Sequence, residues 1–484
     1  MRETIRIVLA LTFGLSFSTL LYAQTAPSPA EVVRLTEAHL EILAQADEFS
    51  GVVLIAKDGK PIFRKAYGFA NRADGIPNRE DTKFNVASMG KMFTSVAVLQ
   101  LVENGRLSLD DKIGKYLPDY ANGTIRDSVT IRQLLTHTSG MGNFWDEHAK
   151  LAKERFKAVS DYLPLFVNQP LLFAPGTSFA YSNSGYMLLG LILERVTGES
   201  YSDYMSKHVY RPVGMTNTDP YELDHVVPNL ATGYTRSTEF PGQWTNNLYV
   251  NVAKGGPAGG SFSTADDLLN FANALLEFKL LNREMTKELT TGKVPYGNRQ
   301  YAYGFIEELA NGHRLIGHGG GHIGIADELM IFPDLGYTVV ILTNGDVDNF
   351  WDIQAFIKKQ LTGSTPSIES YYFTKNAVEA TLRAGYETGI EALKSNQNKV
   401  AVRGGLIDQA GRRLIAEGKY DKAIDVLRLN VFAHPEDATV YESLAEAFNR
   451  AGNKHQAIEH YKKYLRMEPS DIKAAEKLRK LSKQ

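Results

Sequence analysis

The chain has 484 residues, a formal net charge of −2 and no cysteine. Its length predicts one large domain plus at least one smaller module, and its near-neutral charge gives no indication of a nucleic-acid partner. The lack of cysteine excludes disulfides, a thiol nucleophile and a thiolate metal site.

The N-terminus has the pattern of a secretory signal peptide. Arg2 and Arg6 precede an apolar run from about Ile7 to Leu21, and small residues end at Ala23. We predict cleavage after Ala23, a periplasmic or secreted mature protein, and no stable membrane insertion once the signal is removed. An uncleaved membrane anchor is the alternative, although the apolar run is short for a span.

Strand patterns lie at both ends of the region that follows. Residues 51–57 and 61–69 flank Asp58-Gly59, a strong hairpin signal. Further strands are predicted at 301–309, 315–319, 326–332 and 337–342, with mostly helical sequence between the two groups, including helices at 185–196 and 265–276. This order predicts an α+β domain over residues 24–362, with one antiparallel sheet flanked by helices and an inserted helical subdomain.

The C-terminal part repeats itself after a linker and connecting helix at residues 363–400. Gly418 recurs as Gly452 and Pro435 as Pro469, at the period of about 34 that is typical of tetratricopeptide repeats. We predict an all-α module of such repeats over residues 401–484, with an unrelated helical hairpin as the alternative. Repeats of this kind offer a surface to a protein partner, or they brace the first domain.

The four-residue pattern Ser-x-x-Lys occurs twice, at Ser88/Lys91 and at Ser470/Lys473. Residues three apart on a helix are neighbours, so the amine can reach the hydroxyl, and a serine in the first turn lies near the positive end of the helix dipole. The second copy follows Pro469 at a repeat boundary, where a serine serves as a helix cap. We therefore predict Ser88 as a nucleophile beside Lys91.

Tyr181 and Asn183 are candidates for the next two functional groups. They lie in a short loop after Pro175-Gly176 and directly before the apolar helix that begins near Gly185, a suitable place for side chains that point into a cleft. The same Tyr-x-Asn spacing occurs in three other places, where it looks like surface sequence: Tyr120/Asn122, Tyr249/Asn251 and Tyr296/Asn298.

A third element is the glycine-rich stretch from Gly317 to Gly324, between two predicted strands. Glycines there allow a substrate backbone to approach the strand edge, with exposed N–H groups towards an oxyanion. His318 would project a donor into the same cleft, and Gly320 and Gly321 would contact substrate. A register centred on His322 is the second choice, and a simple glycine-rich turn is the alternative.

Taken in order, Ser88-Met-Gly-Lys91, Tyr181-Ser-Asn183 and His318-Gly-Gly320 resemble the motifs of serine β-lactamase-like and penicillin-binding-protein-like hydrolases. The resemblance is to the branch that includes class C β-lactamases, D-alanyl-D-alanine carboxypeptidases and related esterases, and it spans roughly residues 48–361. It is supported by segments 134–141, 175–183, 212–215 and 259–268.

The resemblance implies that Ser88 forms an acyl enzyme, with its proton taken by Lys91 or Tyr181, and that water activated by Tyr181 hydrolyses it. It also implies an oxyanion site at the backbone N–H groups of Ser88 and Gly321, and a role for Asn183 in holding the substrate amide or the Lys91 amine. It implies no cofactor, and no metal-ligand motif is present in the sequence.

His318 stands where this family usually has lysine. Lysine is a permanent cation, whereas histidine is largely neutral at pH 7. We therefore expect a peptide containing D-amino acids, or a carboxylic ester, as the substrate rather than a β-lactam, and any binding of a carboxylate to strengthen below about pH 6.5. The alternatives are a β-lactamase, or a catalytically weak sensor whose repeats recruit a partner.

Overall fold

The computed structural model of the protein describes residues 27–237, 240–345, 350–397 and 399–483. The predicted signal peptide of residues 1–23 lies outside these ranges. Within them, no helix is both long enough and apolar enough to cross a bilayer.

Fourteen strands occur in the described part of the chain, and most belong to one sheet. They are β1 (Gly51–Lys57), β2 (Lys60–Tyr67), β3 (Phe69–Asn71), β4 (Ile76–Pro77), β5 (Phe84–Asn85), β6 (Tyr234–Arg236), β7 (Trp244–Asn246), β8 (Phe262–Ser263), β9 (Val294–Tyr296), β10 (Arg299–Tyr301), β11 (Ile306–Ala310), β12 (His313–His322), β13 (Ile325–Phe332) and β14 (Tyr337–Thr343).

The α-helices precede, interrupt and follow these strands. They are α1 (Pro29–Gln45), α2 (Gly90–Glu103), α3 (Gly123–Ser128), α4 (Ile131–Leu135), α5 (Trp145–Ala149), α6 (Asn183–Thr197), α7 (Tyr201–Met205), α8 (Ala265–Leu276), α9 (Arg283–Thr290), α10 (Phe350–Thr362), α11 (Pro366–Ala384), α12 (Tyr386–Lys394), α13 (Gly404–Ala416), α14 (Tyr420–Ala433), α15 (Ala438–Arg450), α16 (Lys454–Met467) and α17 (Ile472–Lys483).

The main sheet has eight antiparallel strands in the order β2-β1-β14-β13-β12-β11-β10-β9. The first hairpin of the chain therefore pairs with the last strand of the domain, as the sequence predicts. The inserted helices lie between these two elements in the sequence. The turn at Asp58-Gly59 has φ values of 49° and 75°, which match the left-handed turn favoured by a two-residue hairpin.

The centre of the sheet is buried on both faces. In β1, Val52 and Leu54 pack into the core shared with α2 and α8, whereas Val53 and Ile55 pack into a second core with α1 and α10. Alternate strand residues point to opposite faces. The near-continuous apolar sequence of β1 is therefore typical of a strand that is covered on both faces. The larger core also contains the inserted helices and supports the start of α2.

The C-terminal helices pair in antiparallel fashion, α13 with α14 and α15 with α16. Gly404 and Ala438, where α13 and α15 begin, are 34 positions apart, as are Tyr420 and Lys454, where α14 and α16 begin. Their membership of the tetratricopeptide family stays a prediction. The connecting segment contains two helices rather than the single one expected, because α11 ends at Ala384 and the next residue, Gly385, has a φ of 88°.

Candidate active site

A strained turn presents Ser88 at the start of α2. The backbone of Ala87 has a φ of 40°, which is unusual for a residue with a side chain. Two hydrogen bonds hold this conformation: the Ala87 N–H donates to Asn85 Oδ1 over 2.9 Å, and the Ala87 carbonyl accepts from the Gly260 N–H over 3.1 Å. The position of Ser88 is therefore fixed by contacts of the preceding residue with two other segments.

Two glycines allow other segments to approach this turn closely. A Cβ at Gly259 would lie 2.2 Å from the Ala87 carbonyl oxygen, and a Cβ at Gly320 would lie 2.3 Å from that of Val86. Each distance is far below van der Waals contact, so any side chain would force the backbones apart. Gly320, which was predicted to contact substrate, faces Val86, whereas Gly321 has open space around it.

Lys91 is completely buried one turn after Ser88. Its Nζ lies 3.1 Å from Ser88 Oγ, 2.7 Å from Asn183 Oδ1 and 2.5 Å from the Ala258 carbonyl oxygen. Burial lowers the pKa of Lys91 well below its ordinary value because the ammonium ion loses its hydration. A neutral amine has two N–H donors and one lone pair. In the neutral form, the amide and carbonyl oxygens would accept these two protons, and the lone pair would face Ser88 Oγ.

Asn143 fixes the orientation of Asn183. Asn143 Oδ1 accepts hydrogen bonds from the backbone N–H and the Nδ2 of Asn183, over 2.7 and 3.0 Å. Asn143 Nδ2 in turn donates to the Tyr181 carbonyl over 2.8 Å. These bonds direct Asn183 Oδ1 towards Lys91, the second of the two roles that the family resemblance implied. No sequence pattern identifies Asn143, which is remote from the three motifs along the chain.

Tyr181 lies beside both Lys91 and Ser88. Lys91 Nζ is 4.9 Å from the centre of the tyrosine ring, and the centroid of the His137 ring is 4.1 Å from the same ring centre. The buried Tyr181 hydroxyl completes no well-aligned hydrogen bond with the described residues. Burial raises its pKa far above the ordinary value, while the neighbouring Ser88 opposes the rise. Tyr181 is therefore a neutral phenol.

A buried chain of hydrogen bonds ends at His318. The Ser182 N–H donates to His137 Nδ1 over 3.0 Å, so the neutral ring carries its proton on Nε2, which lies 3.0 Å from Tyr301 Oη. Tyr301 Oη lies 3.2 Å from His318 Nε2. His318 Nδ1 is 2.5 Å from the Gly319 carbonyl oxygen and must donate to it. Every link therefore fits two neutral imidazoles.

This environment differs from what the sequence suggested for His318. The side chain is only 4% exposed, and both ring nitrogens are engaged inside the protein, so neither is free to meet substrate. Burial and the proximity of Lys91 lower the pKa of His318 to about 3. The expectation that His318 becomes a cation below about pH 6.5 is therefore wrong, because desolvation outweighs its intrinsic basicity.

The cleft in front of Ser88, called here the Ser88 cleft, has about 480 Å³ of space counted to its open mouth. Ser88, Asn183 and Gly321 reach it, and one wall is apolar and largely aromatic. Among the described residues, Lys254 is the cationic side chain in the lining, and it is paired with Glu222 at 3.0 Å. The apolar wall consists of Phe144, Trp145, Tyr162 and Met187.

Two rejected sequence candidates also border this cleft. Asn251, from a competing Tyr-x-Asn pair, is buried and contributes to the lining, although its partner Tyr249 is 89% exposed. His322 stacks on Trp145 at 5.3 Å between ring centroids and lies 3.0 Å from the Val250 carbonyl oxygen. Spacing alone therefore does not distinguish the four Tyr-x-Asn pairs. The pair Tyr181 and Asn183 is distinguished by its contacts, because both of its side chains lie close to Lys91.

Known proteins similar to this chain share both its sequence pattern and its fold. The family model described as Beta-lactamase matches residues 37–362. A penicillin-binding protein of Bacillus subtilis (strain 168) is 28% identical over 344 residues, which cover 66% of this chain and 73% of the relative.

Two solved structures give the same result. A penicillin-binding protein from Bacillus halodurans is 33% identical, covers 66% of this chain and 98% of its own, and has a TM-score of 0.61. A D-stereospecific amidohydrolase from Streptomyces sp. is 27% identical, covers 70% of this chain and 100% of its own, and has a TM-score of 0.57. The family match covers more than half of the sequence, and its limits enclose the whole Ser88 site: this chain belongs to the beta-lactamase family of serine hydrolases.

Proposed function

We propose that this protein is an exported serine hydrolase that cleaves an amide of a D-amino-acid-containing peptide, or a carboxylic ester, through an acyl enzyme on Ser88. The observation that carries the proposal is the buried Lys91 amine, whose two acceptor partners leave its lone pair towards Ser88 Oγ at 3.1 Å. A hydroxyl beside a neutral, fixed amine is an activated nucleophile.

In the acylation step, Lys91 accepts the proton of Ser88 while Oγ forms a bond to the substrate carbonyl carbon. Lys91 then becomes an ammonium ion inside the protein. That charge is stabilised by Asn183 Oδ1, by the Ala258 carbonyl and by the ring faces of Tyr181 and Tyr186, which lie 4.9 and 5.5 Å away. We therefore propose Lys91 as the general base, one of the two choices that the sequence leaves open.

Tyr181 is proposed to pass the proton on. Its raised pKa makes a free phenolate base unavailable near neutral pH, but a neutral phenol can give its proton to the leaving nitrogen or oxygen as it receives one from Lys91. The carbon–leaving-group bond then breaks and leaves the acyl group on Ser88. Water then attacks the acyl carbon. Its proton passes to Tyr181 as Tyr181 gives one to Lys91, and Lys91 protonates Ser88 Oγ as the bond between the acyl carbon and Oγ breaks.

The developing oxyanion is proposed to lie between the backbone N–H groups of Ser88 and Gly321. Both residues line the Ser88 cleft, and Ser88 lies at the start of α2, where the helix dipole favours negative charge.

The apolar wall of Phe144, Trp145, Tyr162 and Met187 supports a substrate with an apolar or aromatic group next to the reacting carbonyl. The similarity to a D-stereospecific amidohydrolase supports a D-configured amide. A β-lactam has less support, because His318 is neutral and Lys254 is paired with Glu222, which leaves no free cation among the described residues of the cleft lining for its carboxylate.

Export and partner binding belong to the same proposal. The pattern of residues 1–23 supports secretion or a periplasmic location. The paired C-terminal helices support a surface for a protein partner.

The proposal is tested by covalent labelling. A fluorophosphonate probe should react with the mature wild-type protein, and Ser88→Ala should abolish the labelling, while Ser470→Ala should leave it unchanged. Turnover is then measured on D-amino-acid amides, short-chain nitrophenyl esters and a chromogenic cephalosporin. Absence of labelling in wild type, or labelling that survives in Ser88→Ala, would rule out the proposed nucleophile.

A further inference from the structure

A second cleft, called here the junction cleft, separates the hydrolase domain from the C-terminal helices. It offers about 1640 Å³ of space counted to its open mouth, more than the Ser88 cleft, and it shares no lining residue with that cleft. We propose that the junction cleft binds a soluble ligand that carries a phosphate or carboxylate group.

The charge of the lining is the first argument. Three cationic side chains, Arg299, Arg403 and Lys358, face one carboxylate, Glu308. Lys358 Nζ is already paired with Glu308 at 3.0 Å. Neither arginine forms an ion pair with any described residue, so the lining presents three cations to the one carboxylate, Glu308, which already binds Lys358. Burial is the main cause that lowers the pKa of Arg403; Tyr371 and Glu308 oppose this change, and repulsion from Arg299 adds to it. An anion placed between them would relieve that repulsion.

The two arginines reach the cleft from different parts of the chain, the hydrolase domain and the C-terminal helices. Arg299 begins β10 in the hydrolase domain, and its guanidinium lies over the ring of Tyr296 at 5.2 Å. Arg403 comes from the other side, directly before α13, and its Nη2 donates to the carbonyl and hydroxyl oxygens of Ser367, each over 2.6 Å. A ligand contacting both would hold the two parts of the chain together.

Unused hydrogen-bond donors are the second argument. Gln409 also lines the cleft, and its buried Nε2 has no partner among the described residues. Leaving such a donor unsatisfied is unfavourable. In addition, no side chain caps the N-terminus of α13, and Gly405 in its first turn has no neighbouring atom within 4 Å of the Cβ position. A ligand rich in acceptor oxygens would supply partners for these donors.

Oxyanions satisfy both requirements because they bring negative charge and several acceptors together. Guanidinium groups bind phosphate or carboxylate through paired N–H donors, and the first N–H groups of a helix bind the same oxygens. The width of the cleft leaves space for an organic portion beyond the anionic group.

The test measures binding to the full mature protein with three probes: inorganic phosphate, pyrophosphate and citrate. Calorimetry should give a saturable Kd for at least one, and the same anion should raise Tm above the value in sodium chloride of equal ionic strength, by about 2 °C for each tenfold excess over Kd. Arg299→Gln should weaken binding roughly tenfold or more, because it removes a charged hydrogen-bond donor.

Matched variants separate a site from a general salt effect. Arg155→Gln removes an exposed arginine that has no ion pair among the described residues and lies outside the cleft lining, and it should bind like wild type. Gln409→Leu supplies a second, uncharged test and should also weaken binding. The proposal is overturned if none of the three anions binds, or if Arg299→Gln and Gln409→Leu both bind the anion as wild type does.

Discussion

The two Ser-x-x-Lys copies are identical in spacing and opposite in environment. Ser88 and Lys91 lie in the core of the hydrolase domain, with Lys91 completely buried. Ser470 and Lys473 are both exposed at the start of α17. In both copies the lysine lies in the first turn of a helix and the serine two residues before the helix begins. Only the first amine loses its hydration, which disfavours its charged form. Burial and fixed hydrogen-bond partners, not the four-residue pattern, therefore distinguish the pair that we propose to be reactive.

The largest expected effect separates the two lysines. Lys91→Met keeps the length of the side chain but removes the amine that accepts the Ser88 proton, so kcat/KM should fall by about 10³-fold or more. Lys473→Met should leave kcat/KM within twofold of wild type. Steady-state kinetics on the best substrate of the panel measures both. Comparable losses in the two variants would contradict a special role for the buried copy.

Tyr181→Phe should have the next largest effect. It removes only the hydroxyl that relays the proton, so kcat should fall by about 10²-fold with KM little changed. Tyr249→Phe, at the exposed tyrosine of a rival pair, is the matched control and should behave like wild type. A Tyr181→Phe enzyme with unchanged kcat would exclude the relay.

Gly320 and Gly321 form a comparison within the glycine-rich strand. Gly320→Ala places a methyl group 2.3 Å from the Val86 carbonyl oxygen, whereas Gly321→Ala meets no atom within 4 Å. The first should lower the free energy of unfolding by about 1–3 kcal/mol and displace the Ser88 turn, with a loss of kcat. The second should change stability by less than about 0.5 kcal/mol. Urea unfolding of both variants measures the difference, and equal stability would contradict this packing.

The smallest expected effect is in the pH dependence of binding. A His318 pKa of about 3 means that the ring stays neutral from pH 5 to 8, so KM for a carboxylate-bearing substrate should be flat over that range. The unfolded chain protonates this histidine below about pH 6.5, so its burial reduces stability as the pH falls from there towards 3. NMR titration of the imidazole would show the pKa directly, and a value near 6.5 would contradict the buried network.

Local sequence signals predicted much of the fold. The hairpin at Asp58-Gly59 requires left-handed turn residues and has them. The helix expected at 265–276 is α8 with the same limits, capped by Thr264, whose hydroxyl accepts the Asp267 N–H. The strand that was predicted over 301–309 divides into β10 and β11 because Gly304 adopts a φ of 67° between them.

The candidate site was less predictable because burial and long-range contacts decide its chemistry. Ser88, Lys91, Tyr181 and Asn183 were selected by motif, and they come together in the structure. The role of Asn143 depends on loops that only the fold brings together. His318 looked like an ordinary titrating group because its contacts come from Tyr301, 17 residues away along the chain.

The central claim is that a neutral Lys91 accepts the Ser88 proton, and the pH dependence of the acylation rate tests it most directly. Acylation is followed by rapid-quench mass spectrometry of Ser88 with an excess of substrate, from pH 6 to pH 10.5. Because burial holds the Lys91 pKa well below 10.5, the rate should reach a plateau well before pH 10. A rate that rises tenfold per pH unit up to pH 10 would show that Lys91 is charged at neutral pH and would contradict the account.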